Sequence, residues 1–253
     1  MKLLQKSKTA CSSLAASSRR CLTWMHTEGI LAMKMKTDIV VLTKCANGLV
    51  YKSIAELCTY SRESIGTLIV CYTGDDSEEV KKLGKMLDDI PINSVLDIGE
   101  YNFAKLNNEM VKRHASSECI LFMNDDVILS SDAVAPCLKI LEDKDFGAVG
   151  IKLVYPDGTI QHAGVFWACN NLGMCQGVGH LCFKQKNRDL PSCVVPGVTG
   201  AFLMMRTEDF KKIGGFDERF KHCFEDVVLC KRIRDLGMQI VCNNAVEAVH
   251  YES

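Results

Sequence analysis

The sequence has no apolar run approaching the ~20 residues that a helix needs to cross a bilayer, and no apolar core of the secretory-signal type. Its 14 cysteines include no C-x-x-C pair, so a zinc ribbon or a dithiol redox site lacks its usual spacing. Neither G-x-x-x-x-G-K-S/T nor G-x-G-x-x-G occurs, which removes the common glycine-rich phosphate cradles. Internal repeats and low-complexity linkers are also missing. Net charge is nearly absent: 30 Lys and Arg against 31 Asp and Glu leave −1, which speaks against a nucleic-acid-binding surface.

What is present fits one sizeable globular domain, or one domain with an appendage: 253 residues, 47% hydrophobic and 24% charged. The charge is uneven. Residues 1–36 carry seven Lys or Arg against one acid, Glu28, leaving 23 basic and 30 acidic residues beyond them, a net of −7. The start is rich in Ser, Lys and Arg, like an organelle transit peptide. It reads better as a floppy or adventitious extension, with Met33 or Met35 as an alternative start. Residues 1–36 are expected to pack poorly, and residues 37–253 to form the domain. The cysteines lie in apolar runs (Cys71, Cys119, Cys230, Cys242), which points to buried reduced thiols in a cytoplasmic protein.

The chain centres on Glu118 to Ser130, ECILFMNDDVILS. Cys119 to Met123 is a short continuous apolar run that reads as a strand buried on both faces. It stops abruptly at Asn124-Asp125-Asp126. Two adjacent carboxylates beyond a buried strand must be solvated or neutralised, and a divalent cation does this with oxygen ligands. In an extended chain Asn124 and Asp126 point one way and Asp125 the other. Ligands of open α/β sheets sit beyond the carboxyl ends of strands, where this cluster falls. The residues alone serve equally as a polar turn closing a strand.

Before that strand, Asp38–Thr43, Thr67–Tyr72 and Ile92–Ile98 read as strands, and Ser53–Tyr60 and Phe103–His114 as helices. Ser77 is placed to cap a helix with Val80, Leu83 and Leu87 on one face. The alternation predicts an α/β fold with a mostly parallel sheet and crossover helices. In the second half, Asp132–Leu141 reads as a helix and Phe146–Tyr155 and Thr159–Trp167 as strands around Pro156-Asp157-Gly158. Residues 168–197 read as a long irregular loop. Thr199–Met205 is a strand, Glu225–Leu236 a helix stopped by Gly237, and Gln239–Cys242 and Val246–His250 two short closing strands.

Three groups carry candidate chemistry. Glu225-Asp226 opens a helix, where the dipole favours an ionised carboxylate, as a general base requires; ordinary acidic residues fill such positions too. His250 ends the last apolar strand and is either a metal ligand or a structural histidine. Asn102, Lys105, Asn107 and Asn108, within YNFAKLNN, are placed to read a base and neutralise phosphate, or form a plain polar helix face.

Taken in order, the strand ending in Thr43, then YNFAKLNN, ILFMNDDV, YPDGTIQHAG, TGAFLMMR, GGFDERF, FEDVVLCKRIRDLG and AVH resemble the GT-A fold glycosyltransferases of family 2. The nearest branch is that of rhamnosyltransferases and cell-surface polysaccharide enzymes, and the resemblance covers residues 37–251. It implies a nucleotide-binding half (37–130) and an acceptor-binding half (131–253). It implies that Asn124-Asp125-Asp126 is the D-x-D-type motif, with Asp126 holding Mn2+ or Mg2+ together with His250. Asp226 would be the base that deprotonates the acceptor hydroxyl. Thr43, Tyr72, Lys105, Asn108, Asn124 and Asp125 would fall on the nucleotide side, and Gly200, Ala201 and Gly214 to Glu218 near the acceptor. The implied partners are a UDP-sugar or dTDP-sugar donor and a glycan acceptor, with transfer inverting the anomeric centre.

Two departures fall on the base-binding side: Tyr72 stands where an Asp is usual, and Cys45 where Asn is frequent. Relatives commonly extend past the position of Ser253, so the chain reads as a module of a longer enzyme. Two rivals bracket this reading. A D-x-D-x-T/V phosphatase needs a nucleophilic Asp where Asn124 stands, and an amide cannot form the phosphoenzyme. A non-catalytic sugar-nucleotide or polysaccharide-binding module would hold the donor without turnover.

Overall fold

Strand β1 (Thr37–Thr43) is buried along nearly its whole length because it lies in mid-sheet with helices on both faces. A computed structural model describes residues 35–169, 175–220 and 223–252. The expectation for residues 1–36 lies outside them except for Met35 and Lys36. On one side of β1 lie β2 (Ile65–Tyr72) and β3 (Asn93–Ile98), and on the other β4 (Cys119–Asn124), all parallel. Alternate residues go to opposite faces: Ile39, Val41, Leu121 and Met123 join one core, and Val40, Ile120 and Phe122 the other. The connections are α1 (Gly48–Ser61), a short 3-10 turn (Arg62–Ser64), α2 (Ser77–Asp88) and α3 (Phe103–His114).

The helix starts have identifiable causes. The Asn47 side chain accepts from the Leu49 and Val50 amides, and that of Asn102 from Lys105 N. Asp76, not Ser77, caps α2 by accepting from Glu78 N, so Ser77 is its first helical residue. Buried Asp38 accepts from the amides of Thr67, Ser116 and Ser117 and from the Ser117 hydroxyl, which joins β1, β2 and the approach to β4.

Beyond β4 the sheet becomes mixed. β11 (Phe202–Arg206) runs antiparallel to β4, and β6 (Phe146–Val154) antiparallel to β11. β12 (Gln239–His250) is parallel to β6, and β10 (Cys193–Val195) closes this edge antiparallel to β12. The two closing strands expected from sequence are one strand, β12, with a register irregularity between Asn243 and Glu247. β5 (Val127–Leu129) pairs with the end of β12, and β7 (Ile160–His162) with the end of β6. α4 (Val134–Leu141), α5 (Thr207–Ile213) and α6 (Glu225–Asp235) complete the elements. α5 is not foreseen in the sequence, since its seven residues are too few to show a helical period.

Two expectations in the middle of the chain are corrected. The Thr159–Trp167 strand breaks at Gly164, whose φ is +112° and where an added Cβ would lie 2.6 Å from the Val195 side chain. The break separates β7 from β8 (Val165–Cys169). The long loop expected over 168–197 contains β9 (Cys175–His180), paired antiparallel with β8, as well as β10. Gly, Cys and Asn dominate this stretch, so pairing rather than propensity makes the strands. The ten cysteines whose side chains are described are all unpaired. No helix among the described residues is long and apolar enough to cross a membrane.

Candidate active site

The register of β5 on β12 sets His250 opposite Val127, directly after Asn124-Asp125-Asp126. His250 Nε2 lies 3.2 Å from Asn124 Nδ2 and 3.2 Å from Asp126 Oδ1. Its Nδ1 lies 2.6 Å from Gln161 Oε1, which can only accept, so in the neutral ring the proton sits on Nδ1. Nε2 then presents its lone pair. Asn124 donates to it, but Asp126 Oδ1 meets it acceptor to acceptor. Such a pair is stabilised by a cation between or beside its members, either a proton or a metal. Among the described residues no three His, Cys, Asp or Glu side chains gather as a metal site. The donor set here is one carboxylate, one imidazole and one amide.

Asp125 turns the other way, toward the Thr43 hydroxyl. Burial pushes its carboxyl up, the Asp126 charge adds to this, and the Thr43 bond opposes it. These side chains line a cleft of about 610 Å³ beyond the ends of β1 and β4, a volume suited to a small-molecule ligand.

The structure brings Thr43, Asn124, Asp125, Asp126 and His250 to this cleft and leaves three other candidates away from it. Tyr72 is buried at 1% exposure, and its hydroxyl donates to Glu79 Oε2 at 2.8 Å. That oxygen also accepts from Ala46 N at 3.3 Å, so Tyr72 braces the loop after β1 from behind. Lys105 is exposed on the first turn of α3. Asn108 spends its amide on structure, accepting from Phe216 N at 2.8 Å and donating to Phe216 O at 2.9 Å and Glu218 Oε1 at 3.0 Å. It ties α3 to Gly214-Gly215. Gly215 has φ +72°, and an added Cβ would lie 2.3 Å from Asn108 Oδ1.

Sequence reasoning missed other lining residues: Lys44, Tyr101 and Glu252, and it gave Asn107 no firm place. Lys44 Nζ stands 3.8 Å from the centre of the Tyr101 ring. Both follow parallel strands at their carboxyl ends, a position that could have flagged them.

A second cleft of about 440 Å³ shares Tyr101, Phe103, Asn124, His250 and Glu252 with the first. Its far side holds Gly200, Ala201, Glu225, Asp226 and His180. Asp226 Oδ2 accepts from Gly200 N at 2.9 Å and Oδ1 from Val227 N at 2.7 Å. Burial pushes its carboxyl up, with these two amides and nearby His180 pulling it back. Desolvation therefore outweighs the helix dipole invoked from sequence, and the result is a more basic carboxylate. Glu225 is pushed up to about 7, first by burial and then by the Asp226 charge. Asp217 lies 2.7 Å from Arg219 and 2.8 Å from Arg232, and its hydrogen bonds to Arg219 hold it down to about 2. That disqualifies it as a base near neutrality.

No family model matches the chain. It is 33% identical over 162 residues to the O-antigen biosynthesis protein RfbC of Myxococcus xanthus, a match covering 60% of this chain and 12% of that one. The uncharacterised protein y4gI of Sinorhizobium fredii is 33% identical over 165 residues, covering 62% and 18%. The rhamnosyltransferase WbbL of Escherichia coli is 27% identical over 163 residues, covering 60% and 62%. The matched segment thus spans less than two thirds of each relative. Among solved structures, GalNAc-T7 with UDP, GalNAc and Mn2+ superposes with a TM-score of 0.70 at 10% identity, covering 86% of this chain and 43% of that one. The mannosyltransferase PcManGT of Pyrobaculum calidifontis, with GDP-Man and Mn2+, gives 0.59 at 16% identity, covering 86% and 57%. In fold the chain is a GT-A domain, and in sequence it resembles the polysaccharide-building glycosyltransferases of family 2.

Proposed function

We propose that the domain is a metal-dependent, inverting glycosyltransferase that moves a hexosyl or deoxyhexosyl group from a nucleotide-diphosphate sugar to a hydroxyl of a glycan. The observation that carries this is the meeting of two clefts along one wall, with Asn124, Asp126 and His250 on one side and Asp226 across it. The donor set suits a hard divalent cation, because Asp126 and His250 face each other acceptor to acceptor. Asp126 and His250 would hold Mn2+ or Mg2+, which when bound supplies Lewis-acid stabilisation of the charge on the departing nucleoside diphosphate. Gln161 fixes the tautomer from behind, and the Asn124 hydrogen bond to Nε2 holds the ring until a metal on that lone pair would replace it. The UDP and GDP-Man complexes of the structural neighbours support a nucleotide sugar in the first cleft.

Asp226 accepts the proton of the acceptor hydroxyl as that oxygen attacks the anomeric carbon from the side opposite the leaving group. The bond to the nucleotide oxygen breaks as the new bond forms, so the configuration inverts. The two amides on Asp226 hold its carboxylate in place while it keeps lone pairs for the incoming proton. Such a base contributes ~10²–10⁴-fold to rate.

A panel of UDP-, dTDP- and GDP-sugars, assayed for thermal stabilisation and hydrolysis with and without Mn2+, tests this. Metal-dependent turnover of one donor is the expected result. Tight donor binding with no hydrolysis or transfer would instead identify a binding module.

A further inference from the structure

Of the three carboxylates on or beside α6, two have their oxygens engaged. Asp226 accepts from two backbone amides, and Asp217 is clamped between Arg219 and Arg232. Glu225 differs. It is 7% exposed, lines the second cleft, and its Oε2 is buried with no hydrogen-bond partner. Buried polar atoms are nearly always paired, so an orphan on a side chain that lines a cleft marks a group whose partner a ligand can supply once the side chain turns toward it.

The surroundings define that ligand. Titratable groups facing the cleft are Asp226 on α6, Tyr101 before α3, His180 on β9, His250 on β12, and Glu252 and Cys223. Neither Lys nor Arg lines it among the described residues, so an anionic ligand meets no countercharge. Tyr101, Phe103 and Phe224 add aromatic faces beside the acids. Aromatic walls with a few hydrogen-bond acceptors suit a neutral polyhydroxylated ring.

We propose that Glu225 recognises the acceptor, its side chain turning so that the unpartnered Oε2 accepts a hydrogen bond from a second hydroxyl of the same sugar whose attacking hydroxyl Asp226 deprotonates. The inference rests on reading the second cleft as the acceptor side. It makes the acceptor unit a neutral sugar with at least two free hydroxyls, because an acidic sugar would be repelled by Glu225, Asp226 and Glu252. Burial and the Asp226 charge lift Glu225 to about 7. The ionised carboxylate is the stronger acceptor, so sugar binding tightens as pH rises through that value.

The test uses the full chain with Mn2+ and UDP, dTDP or GDP. Binding of methyl glucoside, galactoside, mannoside and rhamnoside is measured by NMR titration at pH 6 and pH 8, for wild type, Glu225→Gln and Glu225→Ala. At least one glycoside is expected to bind wild type, and more tightly at pH 8. Glu225→Ala should weaken it about tenfold and both variants should lose the pH dependence, with nucleotide affinity unchanged. Equal glycoside affinity in all three proteins, or no glycoside binding to wild type with the nucleotide bound, overturns the inference alone. Failure of wild type to bind any nucleotide overturns the glycosyltransferase reading with it.

Discussion

Glu225 makes a prediction that needs no substrate. Its carboxyl rises from an ordinary 4.5 to about 7 in the folded chain, first through burial and then through the Asp226 charge. Between these values the folded state binds a proton that the unfolded state has released. Stability from the neutral acid is therefore fully present below pH 4.5 and lost as pH rises through about 7. At about 1.4 kcal/mol per unit the span corresponds to at most about 3.5 kcal/mol, with local relaxation and water entry reducing it. Glu225→Gln keeps the volume and removes the ionisation. The variant should match wild type near pH 4 and exceed it by about 1–3 kcal/mol at pH 8. At about 2–4 °C per kcal/mol for a domain of this size, Tm should rise by roughly 2–12 °C at the higher pH. Urea titrations at both pH values measure this. Parallel pH–stability curves for wild type and Glu225→Gln would refute the argument, since Glu225 would then titrate alike folded and unfolded.

Asp226→Asn keeps shape and hydrogen-bonding reach but cannot take up the proton. Calorimetry with the donor and metal should give unchanged affinity while transfer falls by ~10²-fold or more; lost donor binding with intact transfer would move Asp226 to the donor site. Asp126→Ala should abolish the Mn2+ dependence of donor binding, and unchanged metal-dependent affinity would remove Asp126 from the site. Asn108→Ala strips the bonds to Phe216 and Glu218 and should cost about 1–3 kcal/mol in urea unfolding. Donor affinity should stay near wild type in that variant, and a selective loss of donor binding would return Asn108 to the nucleotide side.

The sequence by itself determined the pieces whose causes are local. Buried strands show as unbroken apolar runs, as in Cys119–Met123, and α3 was legible as a helix over Phe103–His114. The carboxylates of Asp125 and Asp126 announce themselves because charge beyond a buried strand needs compensation. Tertiary structure decided everything that depends on distant chain. The β5–β12 register sets His250 against Asp126, and Gln161, from β7, fixes which nitrogen faces it. Tyr72 alternates into the core and finds Glu79, and Asn108 finds Phe216, so residues of suitable chemistry are taken for bracing instead of the cleft. The β8–β9 hairpin exists through pairing that its Gly- and Cys-rich sequence does not signal. The helix start showed Glu225 and Asp226 as an adjacent acidic pair; burial, the larger cause of the rise of Glu225 to about 7, was decided by the tertiary structure, because desolvation depends on what packs around a group.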